Sequence, residues 1–188
     1  ELAKKPVDDV IQYLVDFTPQ EGDTFGVPSR EGLGRIFETD VQNRASDYVD
    51  RASVFQRSDM RFVFHFHYLD GLTAVMKNNE RFRLFEIIKL CEYVLKTKEV
   101  LFEKEEYEPG LNEAKLAVAK LIEQLVRMKE PEIDHSLLDN IERIILELFN
   151  QDDSIIDTGP EDFQSENEKS ERKYSSTDPA SLSINCIR

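Results

Sequence analysis

A chain of 188 residues with 40% hydrophobic content and 12 Phe has the size of one domain, or one domain with a tail, and enough apolar side chain for a sizeable core. Only 7 Gly and 7 Pro are present, which argues against a sandwich or barrel needing a turn every ~8–12 residues. The formal charge of −14 opposes binding to nucleic acid or anionic lipid, both of which carry the same sign.

No apolar run approaches the ~20 residues that span a bilayer, and no signal peptide is visible, so a cytoplasmic location is expected. Cys91 and Cys186 cannot form a disulfide framework, and Cys91, inside an apolar helical run, reads as a buried thiol.

The hydrophobic period is helical along nearly the whole chain. Pro6 suits a first helical turn, and Val7, Val10, Ile11, Leu14 and Phe17 recur at spacings of three and four. Thr18-Pro19 ends that helix, and "PQEGDTFGVPS" (19–29) reads as a loop. Ser29 is placed to cap a helix whose inward side chains are Leu33, Ile36, Phe37 and Val41. A further helical stretch carries Tyr48, Val49, Ala52 and Phe55.

Asp59 is the expected cap of a helix running to about Lys77. Two apolar stripes lie nearly opposite one another on it. One holds Phe62, Phe66, Leu69 and Met76, the other Phe64, Tyr68, Gly71 and Val75. A helix patterned in this way is packed on two sides. Gly71, which costs up to ~1 kcal/mol relative to Ala in a helix, then marks a place where a neighbour comes close.

Residues 80–97 predict a helix with Leu84, Ile87, Ile88, Cys91, Val94 and Leu95 on one side, and "EKEEYEPG" (103–110) breaks the pattern. Leu111, Ala114, Val118, Leu121, Ile122, Leu125 and Met128 make a long helix stopped near Pro131. Asp134 or Ser136 caps the last one, with Leu137, Ile141, Ile144, Ile145 and Leu148 inward and Asp139, Glu142, Arg143 and Glu147 in solvent.

Residues 1–150 are thus expected to form the helical-repeat domain. After Asn150 the composition turns acidic and Ser-rich, with nine acidic and four basic groups. Such a stretch buries too little surface to offset the ~1–2 kcal/mol per residue lost on ordering, so residues 151–180 are expected to be a disordered, flexible acidic linker. Residues 181–188, "SLSINCIR", begin a helix and stop before its first turn is complete. With no initiator Met at Glu1, the chain reads as a piece of a longer protein.

Helix pairs starting near residues 6, 59 and 110, and again near 181, repeat at about 50 residues, slightly above the ~40–47 of HEAT and armadillo units. "FHFHYLDGLTAVMKNNERF", "LFEIIKLCEYVLKTKE" and "HSLLDNIERIILELFNQDDSII" resemble HEAT-repeat helices and cover about half of the chain. The end run "DPASLSINCIR" resembles the start of a further helical unit in very large prokaryotic proteins that join a nucleotide-binding domain to a helical array. No G-x-x-x-x-G-K-[ST] is present, so this piece would belong to the array.

The resemblance implies an all-α fold, with antiparallel helix pairs stacked as a short α-solenoid. It also implies a non-catalytic scaffold or protein-interaction role. The alternative is the regulatory or sensor arm of a large NTPase. The expected partners are proteins and adjacent repeats of the parent chain, with no nucleic acid and no membrane.

Three short motifs invite chemistry. In "HFHYLD" (65–70) a metal would use His65, His67 and Asp70, but on a helix the two histidines point roughly 160° apart. His135 has no ligand partner near it in sequence. "GLGR" (32–35) lacks the third glycine of a dinucleotide loop and follows no strand. "DDSIIDTG" (152–159) fails the calcium-loop pattern at Ile156. No catalytic, cofactor or metal residue is assigned from these patterns, and paired carboxylates such as Asp8-Asp9 read as solvated faces.

Overall fold

The computed structural model describes residues 2–19, 29–78, 82–98, 108–128 and 135–152, with the backbone alone at 135, 136, 151 and 152. Every regular element among the described residues is helical. In order these are α1 (Val7–Asp16), α2 (Arg30–Asn43), α3 (Ala45–Val49), α4 (Phe62–Lys77), α5 (Leu84–Lys96), α6 (Leu111–Arg127) and α7 (His135–Asp152), with 3-10 turns at Leu2–Lys4 and Ala52–Phe55. The chain divides into two units, Glu1–Gln151 and Asp152–Arg188, and every element named lies in the first save the last residue of α7.

α1 starts directly after Pro6, whose fixed φ leads into the first turn, and Asp8 and Asp9 in that turn complement the helix dipole. Val10, Ile11 and Leu14 are its buried line. α2 begins at the expected cap: the Ser29 hydroxyl accepts the Gly32 N–H at 2.9 Å. Leu33, Phe37 and Val41 are buried, whereas Ile36, expected inward, is 54% exposed. At about 100° per residue Ile36 falls some 100° to the side of the line through the other three, beyond the width the core covers.

The helix expected through Tyr48 and Phe55 is broken into α3 and the turn Ala52–Phe55. The break falls at Arg51, which leaves the helical region at φ −110°, ψ 8°. Tyr48, Val49, Ala52 and Phe55 are buried all the same. Phe55 stacks on Tyr68 of α4 with centroids 4.3 Å apart, and Phe37 meets Tyr48 edge-on at 5.5 Å. Such ring pairs contribute about 0.5–1.5 kcal/mol each beyond their buried area.

Asp59 does not cap α4. Arg61 holds the cap position without a side-chain bond to the first turn of the helix, and Asp59 pairs instead with Arg57, Nε to Oδ1 at 2.5 Å and Nη2 to Oδ2 at 2.7 Å. A charged, two-pronged pair outcompetes a single bond to a backbone N–H.

α4 is the centre of the fold, packed against both α2 and α6. Twelve of its 16 residues are buried, as the double stripe predicts. Gly71 is the close approach: a β-carbon there would stand 3.2 Å from the Glu38 carbonyl oxygen and from Val41 Cβ on α2.

α5 buries Leu84, Ile87, Ile88, Cys91, Val94 and Leu95 and packs on α6 and on the turn Ala52–Phe55. It starts at Leu84, so Phe82 and Arg83 are outside the helix predicted from residue 80. α6 starts after Gly110, whose N–H donates to Glu113 Oε2 at 2.7 Å. α7 buries Leu137, Ile141 and Ile144, with Ile145 and Leu148 half-buried against the core. It runs two residues past Asn150. The expected caps Asp134 and Ser136, the loops at 20–28 and 103–107, the linker beyond 152 and the segment 181–188 lie outside the described residues or side chains.

Candidate functional site

Two polar clusters are built against the apolar core, one along α2 and one where α2 ends and α3 begins. In the first, Glu31 and Glu38 are two turns apart on one face of α2, with Gly34 midway. The imidazole of His67, from α4, lies between them: Nδ1 is 2.7 Å from Glu38 Oε2 and Nε2 is 3.0 Å from Glu31 Oε2. The ring is buried, and it occupies the space that a side chain at position 34 would need. A β-carbon on Gly34 would stand 2.2 Å from His67 Cδ2.

Arg35 Nε donates to the other Glu31 oxygen at 2.9 Å. Partial burial works against the charge of the Glu31 carboxylate. The hydrogen bonds from His67 and Arg35 outweigh that and hold it below the usual range.

In the second cluster Arg44 is the hub. Its guanidinium pairs with Asp40, reaches the Tyr48 hydroxyl at 3.2 Å and donates to the Lys5 carbonyl at 2.8 Å and the Leu2 carbonyl at 3.4 Å. Tyr48 in turn donates its hydroxyl proton to Asp40. Burial and the Asp40 hydrogen bond push the Tyr48 phenol far up, so it stays protonated, and the Asp40 hydrogen bond raises Arg44. Beside it is an open hollow of about 310 Å³ lined by Asp8, Arg44, Asp47, Asp50 and Arg51, with Arg51 Nε donating to Asp8 at 2.9 Å.

His65 turns away from His67, as the helical spacing requires. Its Nε2 donates to the Phe55 carbonyl at 2.8 Å, and Nδ1 lies 3.3 Å from the Arg61 carbonyl. Burial pulls its pKa below the ordinary value against the pull of those two carbonyls. The two histidines therefore serve separate partners, and among the described residues no group of three or more His, Cys, Asp or Glu is arranged to hold a metal ion. Asp70 is half-buried on α4, and the His135 side chain is outside the description. The Cys91 thiol is buried and pushed up to about 12, which keeps it as an unreactive thiol.

"GLGR" lies inside α2. Its second glycine is there for the His67 ring, a role no local pattern announces because the partners are 33 positions apart.

One surface feature stands out on α7. Leu138, Leu146 and Phe149 are exposed, Phe149 at 69%, and Ile145 is half-buried. At about 100° per residue Leu138, Ile145 and Phe149 fall within ~40° of one another, roughly 100° around the helix from the line of Leu137, Ile141, Ile144 and Leu148. α7 is therefore apolar on two adjacent faces, and the core covers one of them. Glu142 lies between Phe149 and Leu146, and Asp139 flanks them.

Compared with protein-family models, curated proteins and solved structures, the chain matches none of them. Its class rests on the fold: helical in every described element and built around one doubly packed helix. No described helix is long and apolar enough to cross a membrane.

Proposed function

We propose that this chain is a non-catalytic helical-repeat segment, a short α-solenoid of HEAT-like pairs, working as a scaffold or protein-interaction surface within a larger protein in the cytoplasm. The observation that carries this reading is the second apolar face of α7. A helix with a single partner layer needs one apolar stripe, and its remaining positions are polar. α7 has a second stripe, Leu138, Ile145 and Phe149 with Leu146 beside them. Helices in a stacked array have this pattern because each is covered from both sides. α4 has the same double pattern and is covered on both sides within the chain.

The test is a photo-crosslinking phenylalanine in place of Phe149, irradiated in an extract of the source cells. A discrete protein adduct is expected, competed away by unlabelled chain and not by chain carrying Leu138→Glu and Leu146→Glu. Labelling that the two competitors reduce equally, or no adduct at all, overturns the proposal.

A further inference from the structure

The charges around the exposed α7 stripe narrow the kind of partner that fits it. Glu142 lies within the stripe and Asp139 at its edge, both exposed, and Glu147 is half-buried further around. The basic residue of α7, Arg143, is drawn to Glu92 of α5, with Nη2 3.0 Å from the carboxylate, and also pairs with Asn140. The stripe is thus rimmed by acid. The last turn of α7 holds no basic residue, so the partial negative charge at that helix end is not offset from within the helix. Phe149 sits in this same turn. Apolar anchors, an acidic rim and a negative helix end together call for an apolar ridge flanked by cations.

We infer that the Leu138–Leu146–Phe149 face of α7 receives a cationic amphipathic helix from a partner protein, its apolar residues on the stripe and its Lys or Arg against Glu142, Asp139 and the C-terminal turn. This rests on the interaction reading above and specifies the partner's chemistry. A helix laid along an apolar stripe is a common recognition mode, read through anchors at helical spacing. A second copy of this chain fits poorly, because it would bring the same acidic rim and a further −14 of charge to the contact. Anionic membrane and nucleic acid meet the same repulsion.

The experiment uses the full 188-residue chain and a designed probe. The probe is a 14-residue peptide of two heptads, with Leu along one face and Lys on the other. Controls are a scrambled peptide of the same composition and a peptide with Glu in place of every Lys. Binding followed by fluorescence anisotropy is expected to be at least ten-fold tighter for the probe than for either control.

Leu146→Ser with Phe149→Ser should weaken binding ten-fold or more. Glu142→Lys should weaken it several-fold and flatten its salt dependence. These positions are exposed, so the variants should melt at the wild-type temperature, which separates lost contact from lost fold.

Equal binding of the scrambled peptide, or variants that bind as tightly as wild type, would overturn the inference. So would a dimer in sedimentation that Phe149→Ser dissolves, or co-flotation with vesicles of anionic lipid. If the Phe149 crosslink yields a specific adduct with a protein lacking any cationic helix, this inference fails and the interaction function stands. If no specific adduct forms, the function itself fails.

Discussion

The imidazole of His67 stands where a β-carbon on Gly34 would be, its Cδ2 only 2.2 Å from that position. Gly34 and His67 are therefore a matched pair across α2 and α4, and the match predicts a change of sign. Gly34→Ala alone should destabilise the protein by about 1–3 kcal/mol, because the ring must move off Glu31 or Glu38. In a His67→Ala background the obstacle is gone, and the same Gly34→Ala should be neutral or stabilising by up to ~1 kcal/mol from helix propensity. Urea unfolding of the four proteins forms a double-mutant cycle. Additive effects would show that the ring does not fill that space.

Arg44 carries a second prediction. Its planar guanidinium serves Asp40, Tyr48 and the Leu2 and Lys5 carbonyls together. Lysine keeps the charge but not the fork, so Arg44→Lys should cost about 1–3 kcal/mol. Amide exchange at Lys5, whose N–H bonds the Leu2 carbonyl at 2.9 Å, should accelerate as the N-terminal turn loosens. Unchanged exchange there would mean that the turn is held by packing alone.

The pH dependence of stability follows from His65. Burial holds its pKa below the ordinary 6.5, so the unfolded chain binds this proton more readily than the folded one. Stability from this site is complete above the unfolded value and is lost as pH falls below it, by up to ~1.4 kcal/mol per pH unit. Glu31, also shifted down, adds a loss in the carboxylate range at lower pH. Unfolding free energies between about pH 7.5 and 5.5 should decline more steeply in wild type than in His65→Phe, whatever the offset between the two. Parallel curves would refute the assignment.

Leu121 of α6 and Ile144 of α7 are both buried, at 0% and 1% exposure. Truncating either to Ala should cost about 2–5 kcal/mol by chemical denaturation. A loss below ~0.5 kcal/mol at both would mean that α6 and α7 are not fixed as described.

Much of this fold was legible because helices reveal their buried faces through local spacing. The stripes of α1, α5 and α6 and the Ser29 cap all follow from residues within a turn or two of each other. Gly71 was legible for the same reason, since it lies on an apolar line where a hole makes sense only if something fills it.

What local spacing could not give was competition and partnership. Asp59 had the sequence of a cap and went to Arg57, a stronger claim on a carboxylate. Ile36 was close enough to the α2 stripe to be counted with it, and only the width of the neighbouring layer decides that it is outside. Gly34 and His67 belong to different motifs, and neither motif points to the other. Arg44 belongs to no apolar stripe, and its partners include carbonyls some forty residues upstream.

The position of α4 also limits how the chain can be cut. A piece ending before Leu111 keeps α2 on one side of α4 and loses α6 from the other, baring apolar side chains along a helix with few polar residues to mask them. Exposed apolar surface on that scale promotes aggregation. Expression libraries that sample end points along this sequence should therefore show a sharp threshold: insoluble products until α6 is complete, soluble ones after it.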